Sequence, residues 1–363
     1  MPANPRRTRR LALGAVLAAA LLLVAGHTLL WLWLCGRLEA GFAEWAAARE
    51  AAGWRVEHGT PSRGGWPFAA TVTLPELGLR GGDSLAVGGV DWRTEALTLR
   101  LGPPRIDRLA LAAPGRHRLR VGGLEVPFSA DRLDASFPLA GPLAGGEAPD
   151  EAAASARRLR FDVTGGPVEV AAAAVEFATA SAAAGPVSTL RAVASDLALP
   201  PGLPGSDRLG RAVDRLGLDL ALTGAIPPGR SPARQAAAWR DGGGGLEIRA
   251  LDARWGEAAA SAAATLALDG ALQPEGAGAL RLTGGEALLD AASAAGLLPP
   301  FAAAAARIAL RGLTRPPAEG ASGPGQAVLL LSLADRTLKL GPATLVRLPV
   351  LRWNGGLESP SPR

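Results

Sequence analysis

The stretch from Leu11 to Leu34 constrains the fold of this chain more than any other feature of the sequence. Its 24 residues carry no formal charge. An α-helix rises about 1.5 Å per residue, so a helix of this length extends roughly 36 Å, which is enough to cross the ~30 Å hydrocarbon layer of a bilayer. We therefore predict a transmembrane helix over residues 11–34.

The residues beside this apolar stretch predict its orientation. Arg9 and Arg10 close a group of four arginines that precedes it, and Trp31 and Trp33 lie near its far end. Basic residues stay on the cytoplasmic side of a span, and indole rings favour the boundary between lipid and water. We expect these four residues to anchor the chain, with the N-terminus in the cytoplasm and all that follows residue 34 carried across the membrane.

A cleaved signal peptide is the alternative that the sequence leaves open. Its shorter apolar core would end near Ala25-Gly26, at a cleavage site made of small residues. The apolar run continues beyond that point to Leu34. This continuation favours a retained anchor.

The basic composition does not point to nucleic acid. The 363-residue chain has a formal net charge of +5, and the arginines before the apolar stretch carry four of those charges. All but one of its 38 basic residues are arginine, and they are spaced singly rather than clustered among aromatic residues. A nucleic-acid surface is typically such a cluster. We therefore expect no nucleic-acid partner.

Cys35 is the one cysteine, so no disulfide can form within the chain.

Residues with catalytic or metal-binding chemistry are scarce. His27, His58 and His117 are far apart in the sequence, so they form no metal-binding motif. The string from Gly82 to Leu85 spells the nucleophile motif of the GDSL esterases, but no histidine follows His117 to act as the base. The only lysine is Lys339, which excludes a phosphate-binding P-loop. We predict no catalytic residues, no metal and no cofactor, and a protein that is not an enzyme.

Hydrophobic periodicity predicts the fold of the part after the span. Leu38 and Phe42 begin a spacing of three and four residues that indicates a stem helix over 35–52. The period then changes to two, as in Leu97–Leu101, where leucines alternate with polar residues. We predict a mainly β fold, in which a transmembrane helix and a stem helix precede a curved, mostly antiparallel sheet with a few short helices.

These patterns divide the chain into seven segments. They are a cytoplasmic N-terminus (1–10), the transmembrane helix (11–34), the stem helix (35–52), an N-terminal β-rich half (53–138), a flexible linker (139–156), a C-terminal β-rich half with short helices (157–350) and a frayed tail (351–363). Short helices are predicted at Ser206–Leu216, Ser231–Trp239 and Gly285–Gly296. The pattern of Phe301–Arg311 fits a helix or a strand, and we favour the helix.

Two aromatic residues flank a proline where the first long strand is predicted to begin, in Gly64-Gly65-Trp66-Pro67-Phe68. Packing of both rings in the core is the simpler interpretation. The alternative is that the rings line the mouth of a hydrophobic groove on the apolar side of the sheet. The residues that we predict for this groove are Trp66, Phe68, Leu97, Leu99 and Leu101.

Short segments throughout the chain carry a family resemblance. They are Gly53–Val56, Ser62–Phe68, Trp255–Glu257, Leu266–Gly270, Gly285–Gly296, Leu340–Pro342 and Leu348–Pro349. Together with the N-terminal span and stem, they resemble the bacterial envelope proteins grouped as domain of unknown function 2125. That family is distantly similar to AsmA-like proteins, whose sheets form grooves implicated in moving lipids between bacterial membranes.

The resemblance implies a single-pass protein of the bacterial inner membrane with a periplasmic domain and an AsmA-like groove. It carries over no catalytic residues. We expect the protein to bind phospholipid or another hydrophobic ligand in envelope maintenance, with the membrane and other envelope proteins as its partners. The alternative is a structural scaffold or interaction module of the inner membrane that has no ligand.

Overall fold

The computed structural model describes residues 5–82, 89–139, 149–163, 165–182, 185–201, 206–227, 231–296, 298–315, 325–341 and 343–353. The helices are α1 (Pro5–Ala51), α2 (Ser206–Leu209), α3 (Pro232–Asp241), α4 (Gly285–Ala294) and α5 (Pro300–Leu313). The strands are β1 (Arg55–Glu57), β2 (Ser62–Gly64), β3 (Ala70–Pro75), β4 (Gly78–Gly81), β5 (Val90–Thr94), β6 (Ala96–Gly102), β7 (Arg105–Ala112), β8 (Gly115–Val121), β9 (Leu124–Pro138), β10 (Glu151–Val163), β11 (Gly166–Ala182), β12 (Gly185–Ala198), β13 (Ala212–Thr223), β14 (Gly245–Trp255), β15 (Ala258–Leu268), β16 (Pro274–Thr283), β17 (Gln326–Ala334), β18 (Thr337–Leu340) and β19 (Ala343–Arg347).

The apolar stretch and the stem form one uninterrupted helix, α1. Among the described residues, α1 is the one helix that is long and apolar enough to span a membrane. Its side chains from Leu13 to Leu30 are almost all exposed, whereas from Trp31 onward the helix packs against the sheet. A helix that is apolar on all sides and unburied is suited to lipid. The chain therefore carries the predicted N-terminal candidate membrane anchor.

The strands form a single antiparallel sheet that forks at β9. One branch, β1–β4–β5–β8, pairs with the first part of β9, from Leu124 to Ala130. The other branch, β2–β3–β6–β7, pairs with its last part, from Asp134 to Pro138. On its opposite edge β9 pairs with β10, and from there each strand pairs with the next as far as β19. The predicted mainly β, antiparallel fold is confirmed, and its strong curvature stays a prediction.

The second half of α1 is packed against the forked part of the sheet and completes the main core. Cys35 and Leu38 of α1 are buried against Val72 and Leu74 of β3 and Leu99 of β6. Short strands bury little apolar area by themselves, and a helix laid across them supplies the second layer that a core requires. The anchor and the folded part therefore share one hydrophobic core.

Three short helices flank the other end of the sheet. Ser231 accepts a hydrogen bond from the backbone N–H of Arg234 and begins α3, close to the predicted start. Helices α4 and α5 pack against each other and against β15, β17 and β19. Both match their predicted positions to within two residues at each end. They cover the sheet only at this end.

The predicted helix over Ser206–Leu216 is wrong. Only its first turn is helical, in α2, and β13 begins at Ala212. Leu216, Leu218 and Leu220 alternate with Gly217 and Asp219, which is the period of a strand. Pairing with β12 and β14 satisfies the backbone of this segment, and that pairing outweighs the helical signal of the residues before it.

Two segments that we predict to be irregular contain ordered residues. Glu151 to Ala156, at the end of the predicted linker, begin β10 and pair with β11. In the predicted tail, the Leu351 N–H donates to Gln273 Oε1 at 2.9 Å and Trp353 Nε1 donates to the Leu272 carbonyl at 3.0 Å. Residues 140–148 of the linker and 354–363 of the tail lie outside the described residues. The division into two β-rich halves stays a prediction.

We predict that Leu38→Ala lowers the free energy of unfolding of the full chain in mild detergent by about 2–5 kcal/mol, because it leaves a cavity beneath α1. The measurement is urea unfolding followed by tryptophan fluorescence. Glu44→Ala, at an exposed position of the same helix, is the control and should change the free energy of unfolding by less than about 0.5 kcal/mol. Equal stability of the two variants would show that α1 is not part of the core.

Candidate functional site

One unbroken row of apolar side chains crosses the sheet. Residues directly opposite each other on neighbouring antiparallel strands point to the same face. The registers of the strand pairs from β3 to β17 therefore place twelve such residues in line, and we name them the apolar row: Val72, Leu99, Leu111, Ala135, Ala154, Val175, Ala192, Leu218, Leu251, Ala262, Leu280 and Leu329. At roughly 4.8 Å between strands, the row extends on the order of 50 Å.

Two parallel rows widen this surface across β11 to β14. On one side lie Ala173, Ala194, Leu216 and Ala253, and on the other side lie Phe177, Leu190, Leu220 and Ile248. With the apolar row between them, they form a patch made only of alanine, valine, leucine, isoleucine and phenylalanine. We name these three rows across β11–β14 the apolar patch.

The opposite face of the same strands is charged. Arg160 of β10 pairs with Glu169 of β11 at 3.1 Å, and Arg191 of β12 pairs with Asp219 of β13 at 3.0 Å. Exposed ion pairs of this kind contribute little to stability, but they keep that face in water. The ion pairs of β10 to β13 therefore lie on the face opposite to the apolar patch.

The apolar row is covered at both ends and open in the middle. At its start, Val72 and Leu99 are buried under α1, and at its end Leu329 of β17 is buried where α5 packs. In between, Val175 is 39% exposed and Leu251 is 50% exposed. Within the part of the chain that the structure describes, no helix packs on β11 or β12 to an extent comparable with α1 on β3. Open apolar area of this kind typically marks a binding surface.

An aromatic cluster closes one margin of the apolar side, near the fork. The His117 ring is stacked between Trp92 and Phe128, with ring centroids 6.1 and 4.6 Å away, and Phe161 of β10 lies 5.7 Å from Phe128. His117 is buried, and its Nε2 donates to the Ala113 carbonyl at 2.9 Å. Its Nδ1 is buried without a hydrogen-bond partner, which fits the neutral tautomer. The cluster is apolar packing around a neutral imidazole.

The five residues that we predict for the groove are not brought together in one open groove. Leu97 and Leu99 are buried under α1, and Leu101 packs against the same core while half-buried. The predicted side of the sheet is the apolar one, but at this end α1 occupies it, with Cys35 Sγ 3.8 Å from the Thr71 carbonyl. These leucines are core residues of the fork.

The two aromatic residues of the predicted groove mouth do not pack in the core. Trp66 is 51% exposed and Phe68 is 79% exposed. The simpler interpretation of the sequence, that both rings are core residues, is therefore wrong, because the turn that carries them lies beside α1 rather than beneath it. Of the predicted anchor residues, Trp31 bonds to this turn and Trp33 is exposed. Arg9 and Arg10 belong to α1, and their side chains lie outside the described part of the structure.

Sequence reasoning missed the residues that form the open middle of the row. The strongest available signal was in β13, where Leu216, Leu218, Leu220 and Leu222 recur with period two. The preceding Ser206-Asp207 favoured a helix and concealed that period. Val175 and Leu251 lie within the predicted C-terminal β-rich half, but no local pattern shows which part of an apolar face is left uncovered.

The described residues offer no convergent chemistry on the apolar side. They contain no group of three or more histidine, cysteine, aspartate or glutamate side chains that could hold a metal ion. Residues 83–85 of the esterase-like string lie outside the described ranges. What the apolar side presents is surface area rather than reactive groups.

The burial of His117 generates a prediction about pH. Burial lowers the pKa of His117 below its usual value of 6.5, and the partial charge of the Ala113 carbonyl and the nearby Glu95 only partly oppose this. The unfolded chain therefore takes up a proton at a higher pH than the folded chain does. We expect the free energy of unfolding to fall as the pH is lowered from 7.5 through 6.5.

The measurement is urea unfolding of the full chain in detergent at pH 7.5, 6.5 and 5.5. In His117→Phe, whose ring retains the stack between Trp92 and Phe128, the loss of stability over this range should be smaller. An equal loss in both proteins would assign the pH dependence to other groups.

Comparison with known proteins gives one match. The family described as "Uncharacterized protein conserved in bacteria (DUF2125)" matches residues 31–349. The match begins at Trp31, where α1 starts to pack on the sheet, and it includes the fork, the apolar row and the short helices. No curated protein and no solved structure gives a significant match. The chain belongs to the DUF2125 family of bacterial proteins.

Proposed function

We propose that this chain is a binding protein of the bacterial inner membrane, with one span and a periplasmic domain, and that it holds the acyl chain of a lipid on its apolar patch. The observation that carries the proposal is the apolar row, which is closed at both ends by helices and open at Val175 and Leu251. Envelope maintenance is the role that this activity would serve. The AsmA-like relation that the sequence suggests is consistent with it and stays a prediction.

The physical chemistry of the patch suits an aliphatic ligand. The transfer of one methylene group from water onto an apolar surface lowers the free energy by roughly 0.8 kcal/mol. An acyl chain has no polar atoms, so it loses no hydrogen bonds on a surface that offers none. A polar or charged ligand would lose its water there without compensation.

The same features favour binding over catalysis. Catalysis requires titratable or nucleophilic groups that converge on a reacting atom. The three rows of the apolar patch hold only hydrocarbon side chains, and the charged residues of β10 to β13 are on the opposite face. We propose that the protein is not an enzyme and needs no cofactor.

We predict that Leu251→Glu lowers lipid binding to the patch about tenfold. An acyl chain that covers the carboxylate removes its water, which raises the free energy of binding by more than about 1.4 kcal/mol, the equivalent of a factor of ten in affinity. The measurement is made in cells fed a fatty acid that carries a diazirine and an alkyne. After irradiation the full chain is purified, and its crosslinked peptides are quantified by mass spectrometry. Crosslinks should map to β11–β14 as well as to α1.

Ala263→Glu is the matched control. Ala263 follows Ala262, the β15 partner of Leu251, and it is exposed on the opposite face. It should leave crosslinking to β11–β14 unchanged. In both variants the crosslinks on α1 measure contact with bulk lipid and should not change. Crosslinking of β11–β14 at the wild-type level in Leu251→Glu would contradict lipid binding on the patch.

A scaffold without a ligand is the second candidate function. The observation that favours it is on α5, where Phe301 and Ile308 lie two turns apart and are both exposed. A scaffold predicts that α1 alone is crosslinked to lipid. It also predicts that the Ile308→Glu variant loses a protein partner that the Leu251→Glu variant still binds.

The proposed orientation generates a separate prediction. Alkaline phosphatase fused to the C-terminus should be active, because that enzyme folds only after export, and green fluorescent protein fused at the same point should be dark. The positive charge of the four N-terminal arginines is the physical cause, so replacing all four by glutamate should lower phosphatase activity. A fluorescent fusion together with an inactive phosphatase would place the domain in the cytoplasm.

A further inference from the structure

The turn between β2 and β3 presents two aromatic rings to the outside of the protein. Trp66 is 51% exposed and Phe68 is 79% exposed, with Pro67 between them. The β6–β7 turn lies against this one, since a Cβ atom at Gly102 would come within 2.8 Å of the Ala69 Cβ. Just beyond it, Ile106 is 68% exposed. Two large apolar side chains of the β2–β3 turn and one at the start of β7 are therefore exposed at neighbouring points of the sheet, and we name Trp66, Phe68 and Ile106 the rim.

Polar contacts with α1 fix the height of this rim along the helix. His27 Nε2 donates to the Pro67 carbonyl at 2.6 Å, because a carbonyl can only accept. One turn further along, Trp31 Nε1 donates to the Ala69 carbonyl at 3.0 Å and to the Gly64 carbonyl at 3.2 Å. The turn is therefore held beside residues 27–31 of α1 from both of its ends.

That height is where the lipid-facing part of α1 ends. The side chains from Leu13 to Leu30 are almost all exposed and, apart from His27 and Thr28, apolar. A helix of this length extends roughly 27 Å, close to the thickness of the hydrocarbon layer. The His27 side chain is polar and lies within this part. Its bond to Pro67 gives the Nε2–H donor and the Pro67 carbonyl a partner at a depth where water is scarce.

We propose that the rim Trp66–Phe68–Ile106 is a second membrane contact, which inserts into the leaflet nearest the folded domain while α1 crosses the bilayer beside it. Aromatic rings favour this interfacial zone, and the exposed apolar area on the two turns is removed from water there. Two contacts fix the tilt of the domain against the membrane, which one helix alone does not do. The rim has this role whether or not the apolar patch binds a lipid.

The test places an environment-sensitive label on the rim of the full chain. In a Cys35→Ala background, Phe68→Cys is labelled with the fluorophore NBD, and the protein is reconstituted in phosphatidylcholine nanodiscs with or without a doxyl-labelled phosphatidylcholine. The control is Leu124→Cys in the same background, since Leu124 is also exposed but lies in the β8–β9 hairpin of the other branch.

We expect NBD at position 68 to emit at shorter wavelength than NBD at position 124 and to be strongly quenched by the doxyl lipid. Ile106→Cys provides a second labelled site if the substitution at 68 prevents folding, and the same result is expected there. Quenching at 68 and 106 no stronger than at 124 would overturn the proposal.

Discussion

The packing of α1 against β3 and β6 is the contact on which the rest of the structure depends. The strands of the two branches have between three and eight residues, too few to bury a core by themselves. The second half of α1 supplies the missing layer through Cys35 and Leu38. The candidate membrane helix is therefore also a structural element of the folded domain, and its packing fixes where the sheet lies along it.

This contact also explains why the apolar side of the sheet is buried in one region and exposed in another. Beneath α1 the row is buried and serves stability, as at Val72 and Leu99. Beyond the fork, no described helix of similar length continues along the sheet, and the same kind of residue is left open at Val175 and Leu251. In both regions the apolar residues of the row face the same side of the sheet. What differs is whether α1 covers the apolar face, as it does at Val72 and Leu99.

The sequence predicted the features that arise from local periodicity. The apolar stretch, the stem, the helices α3 to α5 and most strands follow from charge, capping residues and periods of 3.6 or two. The fork at β9 does not, because it depends on pairings such as that between Leu111 and Ala135, which are distant in the chain. For the same reason, the alternation in Leu97–Leu101 identified an apolar face but not the helix that covers it. The exposure of Trp66 and Phe68 also depends on tertiary contacts, since hydrogen bonds to His27 and Trp31 hold their turn beside α1.

The central claim is that the apolar patch holds a lipid, and native mass spectrometry of the full chain tests it most directly. The protein is released from nanodiscs in the gas phase and activated until the loosely held lipids around α1 have left. We predict that a defined small number of phospholipids stays bound to the folded chain under these conditions. A folded chain at its bare mass would contradict the claim.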